Sequence, residues 1–380
     1  MRIGIDYTAA VRQGAGIGRY ARNLVRALLD LDKQSEYVLL VAGAGIPRVA
    51  DLLEPLTSGA GAKLVNLPVT DRTLAILWHR LRLPLWVELA CGDLDCFYSP
   101  DFTLPPVRRA RTILTVHDLS FMRVPECSEP GLRQYLLKAV PASVRRADCI
   151  LADSECTRGD VIELLGVDAH KVKVVYPGVE PRFRPVQDAR ELAAVRTRYA
   201  LPNRFVLGLG TLQPRKNFGR LIEGYAQIRC DLSEDTQLVI AGGKGWLYDD
   251  IFQRVEQLGL GNVVHFPGYV DDKDLPALYS LADLFAFPSL YEGFGIPPLE
   301  AMACGTPVVT SSVSSLPEVV GDAALLVKPT DVDALAEALR EALLSRRLRD
   351  KLIQQGLDRA KEFTWARGAR QVLALCGVLG

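Results

Sequence analysis

No two cysteines stand at CxxC spacing, only four histidines are present, and neither sign of charge is in excess; each shortage removes a class of function. The eight cysteines (91, 96, 127, 149, 156, 230, 304 and 376) read as reduced, partly buried thiols of a cytosolic protein rather than a disulfide framework. His79, His117, His170 and His265 are scattered, so no zinc-ligand spacing appears and no metal site is expected. Basic and acidic residues balance at 45 each, leaving no global field for a nucleic-acid backbone. Charge or proline breaks the longest apolar runs well short of a bilayer span. The opening MRIGIDYT reads as a strand and lacks the basic-then-apolar layout of a signal peptide. A cytoplasmic protein that does not cross a membrane is expected. Low-complexity segments and solenoid repeats are missing too.

What is present is alternation. A chain of 380 residues, 49% apolar and 24% charged, suits two α/β domains better than one core. In the first half, Arg2–Asp6, Tyr37–Val41, Lys63–Leu67, Cys96–Tyr98, Thr112–Val116 and Cys149–Leu151 have strand character. Gly18–Leu31, Leu132–Arg146 and Thr157–Leu165 carry helical spacing. A strand at Val172–Val175 runs into Tyr176-Pro-Gly-Val-Glu-Pro-Arg-Phe-Arg-Pro185, which neither element can continue, so a linker falls here and divides the chain into 1–178 and 179–364. The alternation then restarts, with strands expected from Arg204–Leu209 to Ala324–Val327. Two doubly wound halves of this kind expose their strand C-termini to a shared cleft.

Chemistry concentrates in three places. In Phe285–Pro307 a buried strand meets a loop with Gly293 and Gly295, then a helix opened by Pro297 and Pro298. Such a turn offers an anion site, and the carboxylates Glu292 and Glu300 suit sugar hydroxyls. Taken alone, Glu300 reads equally well as compensation of a helix dipole. Gly208-Leu-Gly-Thr-Leu-Gln-Pro-Arg-Lys-Asn217 places Arg215 and Lys216 beyond a strand, where cations neutralise a departing diphosphate. His117 and Asp118 end a central strand of the first half; a satisfied structural histidine is the competing reading. Gly16-x-Gly18-x-x-Ala21 spells a dinucleotide fingerprint, but no acidic residue ends the second strand to hold a ribose. Asp93-Leu-Asp95 spells a DxD, read as a turn before a different strand.

EGFGIPPLEAMACGTPVV, with Glu292 and Glu300 eight positions apart, resembles the signature of the retaining GT-B glycosyltransferases of family 4, and GTLQPRKN resembles another segment of that family. The resemblance spans nearly the whole chain. It implies the GT-B fold, two Rossmann-like domains with a final helix (about 365–380) returning to the first. It implies a first domain for the acceptor and a second for the donor nucleotide. It places Glu292 by the donor hexose and Glu300 on ribose hydroxyls, the amides of Gly293, Phe294 and Gly295 on sugar and phosphates, and Lys216 on the diphosphate. His117 is implied at the sugar near its reacting carbon, with Asp118 beside it. Gly16, with Gly18, is implied near phosphates and acceptor, and Val270 near the nucleobase, although Gly268–Val270 also reads as a simple turn. Many relatives carry an arginine where this chain has Thr211, and Arg215 is the candidate substitute.

The expected activity is metal-independent transfer of a hexose from a nucleotide diphosphate donor to a glycan or lipid-linked acceptor, in polysaccharide biosynthesis. GIGRY, TVHDLSF and AGGKGWLYDDIF look most like bacterial mannosyltransferases using GDP-mannose. A nucleotide-sugar epimerase or phosphorylase on the same fold, or a non-catalytic nucleotide-sugar binder, are the alternatives. Arg72–Leu85 mixes Trp78 and cations on a helix-like apolar run. It suits either peripheral contact with the inner face of a membrane or a helix with one buried face.

Overall fold

The computed structural model describes residues 1–14, 16–46 and 61–378; Ala15 of the glycine cluster and the last two residues of the tail lie outside the described residues. Two compact units form: Met1–Met122 with Pro130–Gly178 and Thr364–Gly380, and Val179–Phe363 with Arg123–Glu129. The short segment Arg123–Glu129 precedes the linker in sequence yet groups with the second unit, where the Trp246 indole donates to the Cys127 carbonyl at 2.8 Å.

In the first unit β1 (Arg2–Asp6), β2 (Glu36–Ala42), β3 (Ala62–Leu67), β4 (Cys96–Ser99), β5 (Arg111–Val116), β6 (Cys149–Ala152) and β7 (Val172–Val174) make one sheet of order β3-β2-β1-β4-β5-β6-β7. Every neighbouring pair is parallel. Helices cover both faces, which is why β2, β4, β5 and β6 are buried at nearly every position, whereas the edge strands β3 and β7 each carry an exposed lysine. Ile17–Leu31 packs Tyr20, Leu24 and Leu28 into the same core as Trp365, Val372 and Leu373 of the tail helix Trp365–Cys376. Thr364 caps that helix, its hydroxyl accepting from the Arg367 amide at 3.3 Å. All eight cysteines are free thiols, and the Cys96 thiol donates to the Cys376 sulfur at 3.1 Å.

The second unit repeats the plan. β8 (Arg204–Leu209), β9 (Thr236–Ala241), β10 (Val264–Gly268), β11 (Leu284–Phe287), β12 (Val308–Ser311) and β13 (Leu325–Val327) form a parallel sheet of order β10-β9-β8-β11-β12-β13. In each sheet the strand order reverses at the first strand, β1 or β8. Parallel sheets bind ligands at the carboxyl ends of the strands flanking such a reversal.

One expectation about local structure is corrected. Arg72–Leu85 is not a continuous helix: Asp71–Ala75 is helical, Ile76–Arg80 is a single π-helical turn, and Leu81–Leu85 leave the helix. Pro84 disfavours helix before it, and Arg82 takes a positive φ of 54°. Leu74 and Trp78 are buried, whereas Arg80 through Leu85 are all exposed.

Candidate active site

The C-terminal edge of β8 leads into a short 3₁₀ turn, Pro214–Lys216, followed by the helix Phe218–Ile228. Asn217 joins them in the left-handed region that asparagine tolerates, and its side-chain amide donates to the Pro288 carbonyl at 2.9 Å and the Pro329 carbonyl at 2.8 Å. That clamp, with the Leu290 amide donating to the Arg215 carbonyl at 2.8 Å, ties the turn to the loop after β11. Lys216 is thereby only 9% exposed, its ammonium 4.5 Å from the centre of the Phe287 ring. It donates to Glu292 Oε1 at 2.7 Å, while Arg215 donates to Glu292 Oε2 at 2.7 Å and to the Tyr291 carbonyl at 2.8 Å. Burial alone would raise the Glu292 pKa, but the Arg215 and Lys216 charges hold it at about 2. Two cations therefore share one carboxylate in a largely dry site.

The loop carrying Glu292 is built from both sides. Its amide donates to the Ser314 hydroxyl at 2.9 Å, and the Ser315 hydroxyl donates to the carbonyls of Glu292 at 2.9 Å and Phe294 at 2.8 Å. Gly295 has a φ of 101°, and a β-carbon there would stand 2.7 Å from Leu316 Cδ2, so only glycine fits. The helix Ile296–Ala303 begins at once, but two of its first three residues are prolines without an N–H. Its terminus offers the dipole and few amides, which throws anion binding more heavily on Lys216 and Arg215.

Glu300 lies in the second turn of that helix, not the first, so dipole compensation does not account for it. It is 1% exposed, with Oε2 accepting from the Tyr279 hydroxyl at 3.0 Å. Val270 is buried just beyond β10, whose last residue Gly268 accepts from the Gly242 amide at 2.8 Å.

The first unit gathers a second group. Val116 at the end of β5 lies beside Ala152 at the end of β6, so the next residues, His117 and Asp153, emerge together. His117 Nδ1 lies 2.7 Å from Asp153 Oδ2 and Nε2 3.1 Å from the Pro100 carbonyl. Tyr20 and Phe102 stand edge-on to the ring at 4.7 and 5.4 Å. Asp118 turns elsewhere, its Oδ1 accepting from the Ser120 amide at 2.8 Å. Gly16 is exposed at the start of Ile17–Leu31, and Arg22 braces the loop before it by donating to the carbonyls of Ala10, Gln13 and Gly14. Gly18 has a packing reason: a β-carbon there would fall 2.0 Å from the Gln13 carbonyl oxygen. Asp93 and Asp95 precede β4, where they accept from Arg2 at 2.9 and 2.7 Å, at the opposite strand ends from the ligand-facing loops.

Sequence reasoning thus found the cations and Glu292, which the fold brings into contact, and missed Asp153, Ser314 and Ser315. Asp153 carried one usable signal: it is the first polar residue after a strand buried along its whole length.

Residues 14–183 match the family model Glycosyltransferase Family 4, and residues 195–359 match Glycosyl transferases group 1. The chain is 34% identical over 364 residues, 94% of each chain, to the O-antigen chain mannosyltransferase B of Escherichia coli. It is 35% identical to a D-inositol 3-phosphate glycosyltransferase of Salinispora tropica, over 95% of this chain and 80% of that one. A sucrose-phosphate synthase from Thermosynechococcus elongatus shares the fold, with a TM-score of 0.76 over 99% of this chain and 98% of that chain at 24% identity. These relatives favour neither an epimerase, a phosphorylase nor a passive binder. The matched motifs, the paired parallel sheets and the near full-length relatives make this chain a glycosyltransferase of family 4 (glycosyl transferases group 1), built on the GT-B fold.

Proposed function

We propose that the enzyme transfers mannose from GDP-mannose to a hydroxyl of a glycan or lipid-linked acceptor, with retention at the anomeric carbon and without a metal ion. The convergence of Lys216 and Arg215 on Glu292 carries this reading. As the sugar–oxygen bond breaks, negative charge builds on the departing diphosphate. Two preorganised cations, Lys216 buried and Arg215 partly so, stabilise that charge without solvent reorganisation. The acceptor hydroxyl attacks from the face the diphosphate leaves, and a diphosphate oxygen takes its proton, so no side-chain base is required. The second unit is the donor domain: Glu292 and the Gly293–Gly295 turn bind hexose and phosphates, Glu300 the ribose, and the backbone near Val270 the base. The first unit, with Gly16 and Gly18, takes the acceptor. The sugar assignment is supported by the E. coli mannosyltransferase, which matches along almost its full length.

A thermal-shift screen of nucleotide sugars, with and without EDTA, tests donor and metal independence together. At a hundred times the dissociation constant, a ligand selective for the folded state stabilises by about 2.7 kcal/mol. GDP-mannose and GDP are expected to raise the melting temperature equally with and without chelator. Stabilisation by uridine nucleotides alone would contradict the guanine assignment, and its loss in EDTA would contradict metal independence.

No helix among the described residues is long and apolar enough to cross a membrane. We further propose that the cytoplasmic enzyme rests peripherally on an anionic bilayer through Arg80–Leu85. Leu81, Leu83 and Leu85 are 57%, 38% and 41% exposed, and Arg80 and Arg82 alternate with them. Apolar insertion flanked by cations is the chemistry of interfacial binding. The protein is expected to float with phosphatidylglycerol vesicles and not with phosphatidylcholine ones, and Leu81→Ser with Leu83→Ser is expected to abolish flotation. Equal flotation of the double variant would refute this surface.

A further inference from the structure

Among the described residues, five that are not glycine take a positive φ: Arg82, Ala200, Asn217, Leu247 and Ser314. Two of them hold the same loop after β11. Asn217 donates to the Pro288 carbonyl at its start, and the Ser314 hydroxyl accepts from the Glu292 amide at 2.9 Å. Asparagine enters the left-handed region readily. Serine does not: at the Ser314 φ of 52° its β-carbon is strained, and glycine would fit without that cost. Strain of this kind persists where surrounding contacts enforce it, and it gathers at ligand clamps. What serine supplies and glycine lacks is one hydroxyl oxygen, and that oxygen receives the Glu292 N–H.

The residues after Ser314 enforce its conformation. Ser315 is fully buried, and its hydroxyl reaches the carbonyls of Glu292 and Phe294 at 2.9 and 2.8 Å. Leu316 opens the helix Leu316–Val320 and closes the space beside Gly295. For Ser314 to relax out of the left-handed region, Ser315 and Leu316 would have to leave the loop they hold. Glu292 thus has its N–H and its carbonyl tied to one turn, while its two carboxylate oxygens meet Arg215 and Lys216 at 2.7 Å each. We propose that Ser314 is a positioning residue for transfer: from a strained backbone, its hydroxyl fixes the Glu292 amide and so sets the carboxylate between the two cations. The inference rests on the reading of Glu292, Arg215 and Lys216 as the site that receives the donor.

Three variants of the full-length enzyme separate the strain from the hydroxyl. Ser314→Ala keeps the β-carbon and loses the acceptor, whereas Ser314→Gly loses both. Ser314→Asn tolerates a positive φ and brings an acceptor back. Ser314→Gly is expected to melt about 2–4 °C above Ser314→Ala, because only glycine relieves the left-handed strain. Turnover is expected to follow the acceptor instead. It should fall on the order of tenfold in both the alanine and the glycine variants and recover by about threefold or more in Ser314→Asn. The loss should lie in kcat, with the donor KM changed by less than about twofold, since a displaced carboxylate spoils the reacting geometry. Wild-type turnover in Ser314→Gly would overturn the proposal, as would turnover that rises and falls with melting temperature across the three variants. Lys216→Ala keeps the two readings apart. Wild-type turnover in that variant would remove the donor site itself, whereas an inactive Lys216→Ala beside a fully active Ser314→Gly would remove only the role of Ser314.

Discussion

Lys216→Ala is expected to lower turnover by on the order of a hundredfold or more at saturating donor while the protein stays folded. Loss should be this large because Lys216 is a preorganised charge in a nearly dry site, 9% exposed and held by Glu292 on one side and the Phe287 ring on the other. The fold should survive because Arg215 still compensates Glu292 at 2.7 Å, so no buried charge is left alone. Initial-rate kinetics with a fluorescent or radiolabelled donor, beside a thermal melt, separate the two quantities. Turnover near the wild-type rate would remove Lys216 from the transfer step.

Glu292→Gln reverses the balance and should act on both stability and binding. The ligand-free variant keeps Lys216 and Arg215 close together without the carboxylate between them. Breaking a buried pair from one side costs roughly 3–5 kcal/mol. For a unit of this size each kcal/mol lowers the melting temperature by about 2–4 °C. A nucleoside diphosphate then supplies the missing negative charge, so GDP is expected to raise the melting temperature more in the variant than in the wild type, even as transfer is lost. The pH dependence carries the same sign. Glu292 falls from an ordinary 4.5 to about 2 in the folded protein. Its contribution to stability is therefore complete above about pH 4.5 and disappears as pH falls toward 2. Acid titrations of stability should be shallower for Glu292→Gln across that window. A variant as stable as the wild type, with an unchanged GDP shift, would mean that Glu292 does not compensate the two cations.

How far the sequence could be read follows from where burial leaves a signal. β1, β8 and β11 lie where their apolar runs predict, because a strand covered on both faces is buried through its central positions. The helices Ala189–Arg198 and Arg346–Ala360 left no readable period: the first buries only Val195, the second only Leu352, Gly356 and Ala360. Their existence depends on packing partners that one local window cannot contain. Arg72–Leu85 misled for a related reason, since Leu81, Leu83 and Leu85 continue an apolar pattern but face outward. At the site, Lys216, Arg215 and Glu292 were legible because a glycine turn beyond a strand restricts where charge can point. Their mutual contact was not, as it joins loops 76 positions apart. Asp153 stayed hidden because its meaning comes from β6 lying beside β5, a pairing of residues 36 positions apart.

The central claim is that Lys216, Arg215 and the turn at Gly293–Gly295 receive the donor's diphosphate, and a crystal structure of the enzyme with GDP tests it most directly. The claim predicts phosphate oxygens within hydrogen-bonding distance of Lys216 Nζ, with Glu292 drawn away from at least one of its two cations. Phosphates bound elsewhere, with the Lys216–Glu292 and Arg215–Glu292 contacts intact, would contradict it.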